Sequence, residues 1–221
     1  MNEALFEGVF YDLEDFHPDY SKAVLTSLPA AIIVPHARFD RIALLVEEAF
    51  GYASGLKPCL VAVLAPLHRS PLANDMGLTA ITTPMRTISG RTFNVRIAKT
   101  DSPLVAERQS YFEEEPACEE LYPAISRTFP EAEVLPLLCA GSTAGLGSLI
   151  SQIMSQNPST LFIISTNMIE SGKLCAQPWI DALDCNWTIG SKIEGKVKHF
   201  MAYSDMKKDG LSGIRLAQAQ A

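Results

Sequence analysis

The stretch AAIIVPH, Ala30 to His36, is apolar without interruption for five residues, then passes through a proline and turns polar at the histidine. Continuous hydrophobicity over so short a length suits a strand buried on both faces, whereas a half-buried strand would alternate. Three more runs share this character: CLVAVLAP (Cys59 to Pro66), EVLPLL (Glu133 to Leu138) and TLFIIS (Thr160 to Ser165). Together the four runs predict the central strands of a sheet covered by helices on both sides.

The segments between them carry helical spacing. Arg41 to Ala53 places Ile42, Leu45, Val46, Ala49 and Phe50 on one face, with Asp40 as a candidate cap. Ala117 to Phe129 does so with Leu121 and Ile125, and Ser142 to Ser155 with Leu146, Leu149, Ile150 and Ile153, capped by Ser142 or Thr143. Strand followed by helix, repeated, implies parallel neighbours joined by right-handed crossovers. The predicted fold is α/β: a three-layer α/β/α sandwich around a central mixed, largely parallel sheet.

From Gly77 to Ala98 the pattern changes to short β-prone pieces (Leu78 to Thr83, Thr92 to Ile97) separated by Pro84 and Ser89-Gly90, which predicts a hairpin-like excursion at the rim of the sheet. Two late strands, Lys198 to Ser204 and Leu211 to Leu216, are expected around Asp209-Gly210, with a frayed tail from Ala217. No repeat period or linker-like stretch divides the chain, so residues 1–221 are read as a single domain.

A net charge of −7, from 18 Lys+Arg against 25 Asp+Glu, offers no basic face for nucleic acid or anionic membrane. The opening MNEALFEGVFYD carries acids where a secretory signal carries basic residues, and no apolar run reaches the ~20 residues of a membrane span. A cytoplasmic protein is expected. Cys59, Cys118, Cys139, Cys175 and Cys185 are widely spaced and odd in number, which indicates neither a disulfide framework nor a structural zinc site; most are read as buried small apolar groups.

Chemistry concentrates at the strand ends. IIVP runs straight into His36, VLAP reaches His68 after Leu67, and LFIIS is followed by Thr166 and Asn167. In an open α/β sheet ligands bind in the crevice beyond the carboxyl ends of the strands, so His36, His68 and Ser165 are expected around one pocket. Two imidazoles suit Fe, Cu or Zn, although a metal site needs a third donor and a lone histidine at such a place commonly just bonds a loop carbonyl. His17, in DFHPDY, and His199, in a strand-like stretch, are read as loop and structural residues. The acids Glu113, Glu114, Glu115, Glu119 and Glu120 suit the first turn of a helix, with at most one turned toward the pocket. The glycine-rich GSTAGLG (Gly141 to Gly147) has no Walker lysine and is read as a helix start; no G-x-S-x-G elbow is present.

These motifs fall in a familiar order. Gly8-Val9-Phe10-Tyr11 resembles the G-x-F-Y opening of the Memo family, Pro35-His36-Ala37 its P-H-A-G-Y segment, and Ala65-Pro66-Leu67-His68 its G-P-S-H-H segment. Thr83-Pro84-Met85 is similar to the family's T-P-L, EPACEELYP (Glu115 to Pro123) to its E-H-S-x-E-x-x-x-P helix, and LFIISTN (Leu161 to Asn167) to its strand ending in S-S-D. Pro136 and Ala140-Gly141 fall at its next strand and turn, so the resemblance runs from about Gly8 to Glu170. It implies the fold of the LigB-type extradiol dioxygenases, which hold non-haem Fe(II). It also implies a metal pair matched by His36 and His68, with Cys185, in CNWTIG, as the counterpart of the family's later cysteine. A bacterial member would be expected to have radical-SAM and AMMECR-type partner proteins.

Departures from the family pattern gather on the chemistry. Arg38 replaces the glycine after P-H-A, Arg69 the second histidine of G-P-S-H-H, Pro116 the histidine of E-H-S, Asn167 the aspartate of S-S-D, and Glu170 a later histidine. Two guanidinium groups oppose a divalent cation and favour a carboxylate or other anion. Two functions are therefore expected. One is a non-catalytic protein whose pocket, lined by Arg38, Arg69, His68, Ser165, Asn167, Glu170 and Glu115, binds a small anionic molecule or a partner. The alternative is a metal-dependent oxidoreductase with His36 and His68 as ligands and Cys185 or Glu170 as the third donor.

Overall fold

The computed structural model describes residues 3–6, 23, 25, 27–34, 46–47, 49–67, 78–112, 116–139, 143–165, 169–170 and 173–174. The late strands expected between Lys198 and Leu216, the tail and the cap at Asp40 lie outside them.

The four apolar runs are strands nearly to the residue: β2 (Ala30–Val34), β3 (Leu60–Pro66), β8 (Glu133–Cys139) and β9 (Thr160–Ser165). They lie side by side in the order β8-β3-β9-β2, all parallel. The remaining strands of this sheet are β1 (Glu3–Phe6), β4 (Ala80–Thr82), β5 (Thr87–Gly90), β6 (Asn94–Ile97) and β7 (Val105–Glu107). The path runs β1-β5-β6-β8-β3-β9-β2, with β4 branching from β8 and β7 pairing with β4. Among the described residues of this sheet only the β5–β6 and β4–β8 pairings are antiparallel, so the sheet is mixed and largely parallel. A separate two-stranded pair joins β10 (Ile169–Glu170) to β11 (Lys173–Leu174).

Strand alternation divides the core into two layers. Val61, Val63 and Ala65 of β3, Leu161 and Ile163 of β9, and Val134 and Leu138 of β8 pack on one face. They meet Val46, Ala49, Phe50 and Ala53 of a helix whose described residues are 46, 47 and 49–53 (α1). The same layer takes in Ala117 and Cys118 of α2 (Pro116–Glu119) and Tyr122, Ala124 and Ile125 of α3 (Tyr122–Thr128). On the opposite face Leu60, Ala62, Leu64, Leu135, Leu137, Phe162 and Ile164 receive Leu146, Leu149, Ile150 and Ile153 of α4 (Thr143–Gln156). The result is an α/β/α sandwich.

Its handedness rule explains the layers. The connection β2-α1-β3 moves two places across the sheet in one direction, and β8-α4-β9 moves two places in the other. Right-handed crossovers that run in opposite directions must pass over opposite faces. That is where α1 and α4 lie.

Three local expectations are corrected. The segment from Gly77 to Ala98 is not a rim excursion: β6 is interior, paired with β5 on one side and with β8 on the other. Ser89 and Gly90 belong to β5, and the reversal falls at residues 91–93. The helix expected from Ala117 to Phe129 is two helices. Pro123 has no N–H and cannot continue a helix arriving from α2, but it is tolerated in the first turn of α3. The Leu121 N–H instead bonds the Cys118 carbonyl at 3.1 Å, closing α2 with a tight turn.

A proline in the middle of a central strand also needs a reason. The Val134 carbonyl accepts from the Ala98 N–H at 2.8 Å, so by alternation residue 136 directs its backbone polar groups to that same side. Pairing with β6 ends at Val134 and pairing with β4 begins at Leu138. Pro136 falls in the gap, where its missing N–H removes no ladder bond.

Candidate functional site

Register defines the carboxyl edge. Val34 pairs with Ser165, and Leu64 pairs with Ile164, so the last residues of β2, β9 and β3 reach one level. Pro66 pairs with Cys139, which brings β8 to the same edge. The three strand ends expected to share a pocket are consecutive, with β9 in the middle. The crossovers leaving β2 and β8 pass over opposite faces of the sheet, through α1 and α4.

Among the expected site residues, the side chain of Ser165 is described. It lies on the α1/α2 face, in phase with Leu161 and Ile163, and is only 1% exposed. Its hydroxyl donates to the Ala117 carbonyl at 2.6 Å, tying the end of β9 to α2. This follows from alternation: a strand end that must bury a hydroxyl on a helix-covered face needs an acceptor, and a backbone carbonyl of a short helix supplies one. Glu170 is placed in β10, paired with Lys173 of β11, by its backbone. His36, Arg38, His68, Arg69, Glu115, Asn167 and Cys185 lie outside the described residues.

Cys139 was not singled out by the sequence. It is half-buried at the carboxyl end of β8, where its thiol donates weakly to the Leu137 carbonyl at 3.7 Å and its own carbonyl accepts from the Leu67 N–H at 3.4 Å. The expectation that most cysteines are buried fails for the described ones: Cys118 is buried, Cys139 half-buried and Cys59 exposed. Cys59 immediately precedes β3 and Cys139 ends β8, so each lies where a strand leaves the cover of its helices. The only signal for this in the sequence is their position at the ends of the apolar runs.

Beside α2, Tyr122 is wholly buried, and its ring packs on Phe93 with centroids 6.4 Å apart. Among the described residues the phenol has no hydrogen-bond partner. Burial pushes its pKa well above the ordinary tyrosine value, and the neighbouring Cys118 and Glu119 add to the effect. It stays neutral at physiological pH.

Among the described residues no group of three or more His, Cys, Asp or Glu is placed to hold a metal ion, and no helix is long and apolar enough to cross a membrane. Comparison with known proteins finds no matching family model and no matching curated protein.

Proposed function

We propose that this chain is a divergent relative of the Memo family in which the crevice beyond β2, β9 and β3 binds a small anionic molecule without catalysing a reaction on it. The observation that supports this is the strand order: parallel β3 and β2 flank β9, and the chain leaves them within three residues of Arg69 and four of Arg38. Two arginines that follow in sequence the ends of strands roughly 10 Å apart suit a phosphate or carboxylate better than a divalent cation. His68, next to Arg69 in the sequence, is a further candidate donor.

The donor set fits a resident metal poorly. Asn167 stands where the family has an aspartate, and Ser165 and Cys139, described at the edge, direct hydrogen bonds to backbone carbonyls.

Calorimetric titration with inorganic phosphate and with benzoate, alongside metal analysis of the purified protein, tests the reading. Binding of one of these anions, weakened about 10- to 100-fold in Arg38→Ala and Arg69→Ala, is expected, since a hydrogen bond to a charged group is worth roughly 1.5–3 kcal/mol. Stoichiometric Fe, Cu or Zn that is lost in His36→Ala and His68→Ala would replace this reading with the oxidoreductase one.

A further inference from the structure

We draw no further inference here: the strongest candidate, the half-buried Cys139 thiol at the carboxyl end of β8 beside the end of β3, is a lone cysteine, and no second observation among the described residues points to a ligand for it.

Discussion

The Ser165 hydroxyl makes a buried 2.6 Å bond across two layers of the fold, from the last residue of β9 to the backbone of α2. Replacing it with alanine deletes that bond while changing little volume, so Ser165→Ala is expected to lower stability by about 1 kcal/mol. The loss would appear as a lower urea midpoint with an unchanged slope. Tyr122 presents the reverse case, because its hydroxyl is buried without a partner among the described residues. Tyr122→Phe removes a desolvated polar group and should leave stability unchanged or raise it by up to ~1 kcal/mol at neutral pH. The sign of the pH effect follows from the raised pKa of the folded state. Above the unfolded value of about 10 the unfolded chain releases the phenolic proton first, so stability present below that pH is lost as pH climbs toward the higher folded value. Urea midpoints measured across the alkaline range should fall more steeply for the wild type than for Tyr122→Phe; equal slopes would remove Tyr122 as the cause.

Elements differ in how far they can be read from sequence, and the reason is their burial. β2, β3, β8 and β9 are covered on both faces, so each announces itself as an unbroken apolar run. β6, with the sequence NVRI, alternates between exposed and buried positions and therefore looks like a rim strand. Its interior place depends on the pairing of Ile97 with Val134, a contact between residues distant in sequence that no local pattern encodes. Three-residue β4 and β7 carry too few positions for any period to register. Within this same region the β5–β6 turn makes a checkable demand. A Cβ at Gly90 would overlap the ring of Phe93, which is buried in the core, and the Gly90 N–H is held by the Phe93 carbonyl at 2.9 Å. Neither partner can retreat without disturbing the other. Gly90→Ala is therefore expected to cost about 1–3 kcal/mol, as overpacked sites do, and a thermal unfolding midpoint equal to that of the wild type would show that the turn relaxes freely.

At the scale of the whole molecule, the sheet has two unlike edges. Lys57 and Cys59 are exposed at the amino edge just before β3, whereas the carboxyl edge collects the strand ends that lead to both arginines and both histidines of the candidate crevice. That the ends of β2, β3 and β9 share one edge was legible in the sequence, because those three apolar runs reach a polar residue at or within two positions of their ends. The use of Ser165 was not, because its partner Ala117 is 48 residues away. A ligand that binds only the folded state stabilises it by about 2.7 kcal/mol at a hundred times its dissociation constant. For a chain of this size each kcal/mol raises the unfolding midpoint by roughly 2–4 °C, so saturating phosphate should raise it by roughly 5–11 °C. If the anion is held at the carboxyl edge, the shift should vanish in the Arg38→Ala, Arg69→Ala double variant and persist in Lys57→Ala, whose charge lies at the opposite edge. A shift that Lys57→Ala abolishes, or that the double variant retains, would place anion binding elsewhere on the molecule and separate the fold's crevice from its ligand.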